Sequence, residues 1–335
     1  MALAGGGTDL EPYWSKYGGV VLNATIDQYA YCKIEPCVCN HEKCWSFKSV
    51  DLGIEERHDF YSTPFMQGEY VDSDLQLLVN AYQYLTAKTD RHPVKITTYV
   101  EAPPGSGLGS SSALVVALIA AIAEYHKIPL GEYDIAEYAV EIERNICDMP
   151  GGKQDQFAAA FGGFNFTEFL TDGRTIVNPL RLNYKTQNMM ELSTVLYYVG
   201  KPRSNSRVIE NTAKGLVDSE VVLNATHKIK EACIEYKRSL LTGDMKRISE
   251  LMETYWRSKL ETNPHVASPE ILDSYEYALQ NGATGAKISG AGGGGHMVLF
   301  TEFERRHELI TALKEKEGRV VPFKFVKHGV DVWRQ

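Results

Sequence analysis

One stretch decides the fold of this 335-residue chain: Pro103-Pro104-Gly105-Ser106-Gly107-Leu108-Gly109-Ser110-Ser111-Ser112-Ala113. Its glycines allow the backbone to approach an anion closely, and an apolar run from Ala113 to Ala123 follows at once. The first turn of a helix carries unpaired N–H groups and the positive end of the helix dipole, which favour phosphate oxygens. The serine hydroxyls can cap that helix, donate to phosphate or reach Mg²⁺. The stretch therefore predicts a phosphate-binding loop at the start of a buried helix.

Other interpretations of this loop fit the residues less well. A P-loop requires a lysine after its last glycine, and none follows Gly109. A dinucleotide-binding fingerprint requires a third glycine where Ser110 stands, and an acidic residue at the end of a second strand about 20 residues further on. A flexible linker would not lie between a β-rich stretch, Val94 to Val100, and an uncharged helix. Dinucleotide binding, a linker and plain helix capping by the serines stay open as weaker alternatives.

The overall composition limits the classes of protein to consider. The formal net charge is −8, with 44% hydrophobic and 23% charged residues, which is typical of a folded globular chain. A broad nucleic-acid surface would need the opposite sign of charge, so we expect no nucleic-acid partner. The apolar run from Ala113 is too short to cross a bilayer, and no secretory signal is visible at Met1. We therefore expect a cytoplasmic protein with no membrane partner.

Four of the six cysteines lie close together, at Cys32, Cys37, Cys39 and Cys44. Their spacings do not form the CxxC pairs that zinc sites commonly show. The segment from Tyr29 to Lys48 is more typical of a β-hairpin that turns at residues 40–43, with reduced thiols. A metal site there stays open as a weaker alternative.

Strand-like and helix-like patterns alternate along the whole chain, which indicates the α+β class. A second half begins near Leu192, because residues 194–199 read as a new strand. Two long helical patterns follow, at about 217–241 and 245–259, and a cleaner helix starts at Ser268, with Pro269 in its first turn. The last helix and strand are predicted near residues 305–316 and 320–326.

Three glycine-rich motifs in order resemble those of the GHMP kinases. Besides the loop quoted above, they are Gly5-Gly6-Gly7-Thr8-Asp9-Leu10 and Lys287-Ile288-Ser289-Gly290-Ala291-Gly292-Gly293-Gly294-Gly295. The resemblance implies a two-domain fold, with a ribosomal protein S5 domain 2-like N-terminal ATP-binding domain over residues 1–190. It implies a ferredoxin-like C-terminal domain over residues 191–335, with the active site in the cleft between them. ATP and Mg²⁺ are the implied cofactors.

Shorter stretches are similar to the heptose 7-phosphate kinase branch of that family: Gly151-Gly152-Lys153-Gln154-Asp155-Gln156, Phe161-Gly162-Gly163-Phe164-Asn165-Phe166 and Tyr255-Trp256-Arg257-Ser258-Lys259. This resemblance implies phosphorylation of the anomeric hydroxyl of a heptose 7-phosphate. A related kinase that acts on free galactose or fucose is one alternative. A non-catalytic sugar- or nucleotide-binding protein is another.

The resemblance also assigns roles to individual residues. ATP would be bound by the central loop and by the third motif, through Pro104, Gly105, Ser106, Gly107, Leu108, Gly109, Ser110, Ser111, Ser112, Gly292 and Gly293. Mg²⁺ would be held by Ser111 and Glu143, and Asp155 would be the catalytic residue that accepts or aims the acceptor hydroxyl. From the residues alone, Glu143 could equally be a solvated helix charge and Asp155 an ordinary helix cap.

The sugar phosphate would be bound by four further residues. Thr8 and Asp9 would contact its hydroxyls, unless they only form the turn, while Arg203 and Lys259 would bind its phosphate. A homodimer is also possible. The family pattern places a basic residue immediately before Met1, so we expect either that the native chain extends further or that catalysis is impaired.

Overall fold

The computed structural model describes residues 1–37, 44–59, 70–89, 92–200 and 205–334. Its strands are β1 (Ala2–Ala4), β2 (Gly19–Ala24), β3 (Ala30–Pro36), β4 (Cys44–Ser49), β5 (Ile54–Asp59), β6 (Val94–Val100), β7 (Phe164–Phe169), β8 (Thr175–Pro179), β9 (Thr194–Gly200), β10 (Ala283–Ile288), β11 (Gly295–Thr301) and β12 (Arg319–Val321). Its α-helices are α1 (Glu11–Tyr17), α2 (Gln76–Leu85), α3 (Ser110–His126), α4 (Glu132–Val140), α5 (Gln154–Phe161), α6 (Tyr184–Ser193), α7 (Asn205–Asp218), α8 (Glu220–Thr242), α9 (Met245–Thr262), α10 (Pro269–Gln280) and α11 (Arg306–Leu313). A π-helical turn, Glu141–Ile146, continues α4, and a 3₁₀ turn, Phe303–Arg305, precedes α11.

The strands form three four-stranded sheets, with the orders β1-β2-β7-β8, β3-β6-β4-β5 and β10-β11-β9-β12. Strands and helices interleave, so the predicted α+β class is confirmed. The first two sheets use residues before 190 and the third uses residues after it, but the chain end returns to the first half. Phe325 forms a bridge with Ile26, and the Val330 N–H donates to the Ala160 carbonyl. The boundary between residues 190 and 191 therefore stays a prediction.

The predicted strand, loop and helix around residue 105 are all present. Strand β6 has the predicted bounds, and its inward-facing residues Val94 and Ile96 are fully buried. Helix α3 begins at Ser110, and Val115, Ile119 and Ile122 on its inner side are also fully buried. Burying such a side chain contributes about 1.5–3 kcal/mol relative to exposure. The helix behind the loop is therefore held in place by the core.

The predicted hairpin between residues 29 and 48 is wrong. Strand β6 pairs with β3 on one side and with β4 on the other, so β3 and β4 are not neighbours. The apolar strand β6 takes the more protected inner position, while the alternately exposed β3 lies at the sheet edge. Residues 40–43, where the turn was predicted, and Cys39 lie outside the described residues. Within the described ranges, no cluster of three or more His, Cys, Asp or Glu side chains could hold a metal ion.

Two predicted boundaries in the second half need correction, and one is confirmed. The helix predicted at about 217–241 is present but begins at Glu220, because Ser219 is extended and its hydroxyl accepts from the Val222 N–H that opens α8. The last strand is only the three residues of β12. The predicted cap at Ser268 is confirmed, since its hydroxyl accepts from the Ile271 N–H at the start of α10.

An apolar core joins the two halves of the chain. Leu3 and Leu22 of the first sheet belong to the same buried cluster as Ile229 and Tyr236 of α8 and Met252 of α9. Helix α8 thereby covers the sheet that carries the first glycine motif, and α9 packs against α8 and against β10 of the third sheet. Among the described helices, none combines the length and the apolar character needed to span a bilayer.

Candidate active site

All three glycine motifs meet around one cavity of about 530 Å³. Both halves of the chain line it. The polar residues and glycines that line it include Gly7, Asp9, Gly109, Ser111, Arg144, Asp155, Lys259 and Gly290. A volume of this size is in the range of small-molecule binding sites. The predicted meeting of the motifs in one cleft is thus seen in the fold.

The loop before α3 depends on glycine at alternate positions. Gly105, Gly107 and Gly109 have φ angles of 72°, 76° and 74°, in the left-handed region that other residues rarely adopt. A Cβ at Gly107 would also lie 2.4 Å from the Ser289 carbonyl oxygen, closer than any real contact. The glycines therefore set the loop conformation and allow the third motif to lie against it.

Glu143 is a buried carboxylate on the π-helical turn, and it is directed at the start of α3. The Ser111 hydroxyl donates to its Oε1 at 2.8 Å, and the Ser112 hydroxyl donates to its Oε2 at 2.7 Å. The Gln156 side-chain amide donates to Oε2 as well. The structure thus brings the two predicted metal ligands together, with Ser111 lining the cavity and Glu143 buried behind it. π-Helical turns inside helices are frequent at functional sites.

Arg144 fixes the turn that leads into α5. Its Nε donates to the Gly152 carbonyl at 3.0 Å and its Nη1 donates to the Met149 carbonyl at 3.1 Å. A Cβ on Gly151 would lie 2.5 Å from the guanidinium carbon, so this glycine allows the close approach. The guanidinium is therefore committed mainly to the backbone, and it also lies 3.8 Å from Glu143.

Asp155 lies in the first turn of α5, directly against the phosphate-binding loop. A Cβ at Gly109 would be 2.9 Å from the Asp155 carboxyl carbon. The pKa of Asp155 is raised to about 6, mainly by burial; the positive charge of the Met1 amino group opposes this rise, the Asp9 carboxylate adds to it, and the smaller effects of Arg144 and Glu143 oppose each other. Within the described part of the chain, no group donates a hydrogen bond to this carboxylate. It is thus placed beside the loop with its proton-accepting capacity unused.

Asp9 connects the first glycine motif to the Asp155 turn. Its Oδ1 accepts from the Gly7 N–H at 2.9 Å, and its Oδ2 accepts from the Gln154 N–H at 3.2 Å. Lys259 of α9 lies across the same corner, where its Nζ would be 3.6 Å from a Cβ on Gly7. Burial lowers the pKa of Lys259, and the nearby Asp9 carboxylate opposes this effect. The corner therefore presents a buried cation to the cavity.

Thr8, in contrast, points away from the cavity. It is fully buried, and its hydroxyl oxygen lies 2.8 Å from the Gly5 carbonyl and 2.7 Å from the Val20 carbonyl, which compete for its one proton, while it accepts from the Val20 N–H at 3.0 Å. This arrangement gives Thr8 a structural role in attaching the first motif to β2. The placement does not support the predicted contact with sugar hydroxyls.

Several predicted nucleotide-binding residues of the second and third motifs do not line the cavity. Leu108 packs against the core that joins the two halves, and Ser106 is buried. In the third motif, the Gly293 N–H donates to the Val266 carbonyl at 2.8 Å, and Gly292 packs against the same residue. Their roles are therefore in holding the loops, and Gly290 with Ala291 reaches the cavity instead. Arg203 lies outside the described residues.

Comparison with known proteins gives the family. A model described as the GHMP kinases N terminal domain matches residues 76–163, and one described as GHMP kinases C terminal matches residues 236–319. The D-glycero-alpha-D-manno-heptose 7-phosphate kinase of Campylobacter jejuni is 39% identical over 336 residues, which covers 100% of this chain and 96% of that protein. The chain belongs to the GHMP kinase family. The resemblance seen in the three motifs is confirmed.

Solved structures agree with this assignment. A D-glycero-D-manno-heptose 1-phosphate kinase from Bacteroides thetaiotaomicron is 33% identical, with a TM-score of 0.81 over 100% of this chain and 97% of that one. The galactokinase of Lactococcus lactis, solved with galactose, has a TM-score of 0.75 over 98% of this chain and 92% of that one. At 17% identity the second likeness concerns the fold alone. The two-domain GHMP kinase fold is thereby confirmed.

Sequence reasoning missed two features of this GHMP kinase site. Gln156 holds the Glu143 carboxylate, although only its neighbour Asp155 was singled out in the same motif. Arg144 directly follows Glu143 in the sequence, but its contacts with the Gly152 and Met149 carbonyls depend on the fold and could not be foreseen. A polar residue directly next to a predicted catalytic group was the available signal for Gln156.

Proposed function

We propose that this GHMP kinase, an ATP-dependent sugar kinase, transfers the γ-phosphoryl group of ATP to the anomeric hydroxyl of D-glycero-α-D-manno-heptose 7-phosphate. One observation carries the proposal: the phosphate-binding loop, the Asp155 carboxylate and the Lys259 ammonium line the same cavity. A kinase needs a phosphate cradle, a group that positions the acceptor and a charge for the substrate's own phosphate. The 39% identity to the Campylobacter heptose 7-phosphate kinase supports the choice of acceptor.

The loop from Gly105 to Ser112 acts as the phosphate cradle. Its glycines let the backbone approach the triphosphate, and the N–H groups at the start of α3 favour the negative oxygens. Because phosphoryl transfer passes through a loose transition state, positioning and charge stabilisation supply most of the rate enhancement. The buried helix behind the loop keeps these donors in place.

Asp155 receives or aims the proton of the acceptor hydroxyl. Its carboxylate lies beside Gly109, so an acceptor bound there is next to the end of the triphosphate. With a pKa of about 6 the carboxylate is ionised at neutral pH, yet it is more basic than an ordinary aspartate. This combination suits a general base.

Mg²⁺ would be held by Ser111 and Glu143. A hydroxyl and a carboxylate are the hard oxygen ligands that Mg²⁺ prefers, and the two lie 2.8 Å apart, with Ser111 lining the cavity. The bound ion would neutralise charge on the β- and γ-phosphates. Ser112 and Gln156 keep the Glu143 carboxylate in place for this purpose.

Lys259 binds the phosphate already present on the sugar. Among the described cavity residues, Lys259 and Arg144 are the only lysine and arginine, and the Arg144 guanidinium is committed to backbone carbonyls. A buried ammonium gains much from a dianionic partner, because the low dielectric strengthens their attraction. Binding of the same phosphate by Arg203 stays a prediction. The cytoplasmic location and the homodimer predicted from the sequence also stay predictions.

The two heptose kinases named above differ in the stated position of the substrate phosphate. One is named for heptose 7-phosphate and the other for heptose 1-phosphate. We choose the 7-phosphate because the more similar sequence carries that name. A kinase acting on free galactose or fucose, and a non-catalytic binding protein, are the alternatives.

A substrate panel tests the proposal. Purified protein with Mg²⁺ and ATP is offered heptose 7-phosphate, heptose 1-phosphate, free heptose, galactose and fucose, and ADP release is followed by a coupled assay. We expect turnover with heptose 7-phosphate and a ³¹P NMR spectrum of the product with phosphates on C1 and C7. Equal turnover on free sugars would favour the galactokinase-like alternative, and no turnover on any sugar would favour the non-catalytic one.

A further inference from the structure

His296, at the start of β11, makes an unusual pair of hydrogen bonds to the phosphate-binding loop. Its backbone N–H donates to the Ser106 carbonyl at 2.9 Å, and its ring Nδ1 lies 2.9 Å from the same oxygen. The imidazole is buried and comes from the second half of the chain. One carbonyl of the loop is therefore held by two groups of a single residue.

The ring must donate in this contact. A carbonyl oxygen can only accept, so Nδ1 carries the proton, which a neutral imidazole allows. Burial lowers the pKa of His296, and although the Ser106 carbonyl opposes this, the nearby Arg319 charge adds to it. The residue is thus a neutral donor with a fixed tautomer.

The surrounding backbone brings His296 up to the loop. A Cβ at Gly295 would lie 2.4 Å from the Ser106 carbonyl oxygen, so only glycine permits the approach. The Ser289 N–H donates to the His296 carbonyl at 2.8 Å and closes the turn of the third motif. This turn also places the Ser289 carbonyl against Gly107. The third motif therefore supports the phosphate-binding loop from behind.

The orientation of one peptide group follows from this contact. In a trans peptide the carbonyl of Ser106 and the N–H of Gly107 point in opposite directions. Anchoring the carbonyl on His296, which does not line the cavity, therefore directs the Gly107 N–H to the other side, and Gly107 does line the cavity. Because glycine allows this peptide to flip at little cost, an anchor is needed to keep the donor in place.

We infer that His296 is a positioning residue for the nucleotide, which holds the Ser106–Gly107 peptide with its N–H available to the triphosphate. The inference rests on the proposed function, since it assumes that the loop binds ATP. It assigns to the third motif a role in nucleotide affinity that acts through the loop and not through contact with ATP. The sugar is bound elsewhere in the cavity, so its affinity should be largely independent of His296.

A purely structural role for the ring predicts different behaviour. The imidazole packs against Tyr198, with ring centroids 5.0 Å apart. If this aromatic contact were what matters, His296→Phe would preserve it and His296→Asn would lose it. If the hydrogen bond matters, the order is reversed, because the asparagine amide can place a donor where Nδ1 lies and phenylalanine cannot.

The experiment compares wild type, His296→Asn and His296→Phe. Direct ATP binding is measured by calorimetry, KM is measured separately for ATP and for the sugar phosphate, and melting temperature reports folding. We expect His296→Phe to weaken ATP binding about fivefold, the effect of one ordinary hydrogen bond, with the sugar KM within about twofold of wild type. His296→Asn should retain ATP affinity close to that of wild type.

Three other outcomes of this experiment would contradict the inference. Unchanged ATP affinity in His296→Phe, or an equal loss in both variants, would show that the ring hydrogen bond does not position the loop. A parallel loss of sugar and ATP affinity would mean general damage to the site. Failure of wild type to bind ATP would instead contradict the proposed function itself, and the inference with it.

Discussion

Replacing Asp155 by asparagine should lower turnover and raise thermal stability at the same time. Loss of a general base typically costs about 10²–10⁴-fold in rate, so we expect at least about 100-fold lower kcat with ATP binding retained. The stability gain arises because folding holds this carboxyl in a buried site that disfavours its ionised form. The amide carries no charge, and no hydrogen bond from the described residues to the carboxylate is lost.

The pKa gives the size and the pH range of the stability effect. A carboxyl whose pKa rises from 3.8 in the unfolded chain to about 6 in the folded one destabilises the fold when it is ionised. The penalty is complete above about pH 6, amounts to at most about 3 kcal/mol, and disappears below the unfolded pKa. Asp155→Asn should therefore melt higher than wild type near pH 7, and the difference should vanish as the pH falls to about 4.

The pKa also predicts how activity depends on pH. With a pKa of about 6, only about a tenth of the Asp155 carboxyls are ionised at about pH 5, against more than about nine tenths for an ordinary aspartate. The phosphates of both substrates titrate in the same region. Their contribution cancels in the ratio of wild-type rate to Asp155→Asn rate at each pH. This ratio should fall about tenfold from about pH 7.5 to pH 5.

The assay is coupled ADP release across this pH range, together with thermal melting of the same samples. Asp172→Asn is the matched control, because Asp172 is exposed and paired with Arg174 on the surface, and it should leave the rate unchanged. A rate ratio that does not change with pH would refute the assigned pKa. Normal turnover in Asp155→Asn would remove Asp155 from the catalytic role.

Three further substitutions test other parts of the site. Glu143→Gln should raise the Mg²⁺ concentration needed for half-maximal activity, because a neutral amide is a poorer ligand, as a metal titration would show. Lys259→Met should raise KM for the sugar phosphate about 10- to 100-fold, the value of a hydrogen bond to a charged group, and leave KM for ATP nearly unchanged. Gly107→Ala should weaken ATP binding and lower the melting temperature, because its Cβ would meet the Ser289 carbonyl at 2.4 Å.

Each of these substitutions has a control on the same chain. Glu141→Gln changes a carboxylate on the same turn as Glu143, and Lys228→Met removes an exposed lysine paired with Glu261. Gly53→Ala adds a Cβ at a similar φ of 70°, where nothing lies within 4 Å. Unchanged Mg²⁺ dependence in Glu143→Gln would contradict its assignment as a metal ligand. An equal rise of KM for ATP and for the sugar phosphate in Lys259→Met would contradict its role at the sugar phosphate. Equal effects of Gly107→Ala and Gly53→Ala would contradict the special role of Gly107.

Local features of the chain could be predicted from its sequence. The strand from Val94 to Val100, the glycine loop and the helix at Ser110 follow one another directly, so short-range patterns determine all three. The same holds for the cap at Ser268. Wherever neighbours in sequence are also neighbours in space, propensity and periodicity were sufficient.

Long-range pairing was not predictable in this way. The segment from Tyr29 to Lys48 has the pattern of a hairpin, yet β6 inserts between its two strands, since strand order depends on which strand best fills the inner position. The hairpin error comes from non-local competition between strands, which a single sequence does not display. The later start of α8, at Glu220 instead of Val217, has a local cause, because the Ser219 hydroxyl caps the helix.

The candidate site also contains features that the sequence indicates and features that depend on long-range contacts. Asp155, Ser111 and Glu143 could be selected as candidates because they belong to motifs or lie at a recognisable interval from one, and the structure places them close to the loop. The contact between His296 and Ser106 joins residues 190 positions apart, so no sequence pattern indicates it. Thr8 belongs to a motif but turns its hydroxyl into the backbone, which only the fold determines.

A crystal structure with a non-hydrolysable ATP analogue, Mg²⁺ and heptose 7-phosphate tests the central claim most directly. We predict phosphate oxygens about 3 Å from the backbone N–H groups between Gly105 and Ser112. The anomeric hydroxyl should lie next to Asp155, and the sugar phosphate next to Lys259. A triphosphate bound away from this loop, or a sugar whose hydroxyl lies far from Asp155, would contradict the account.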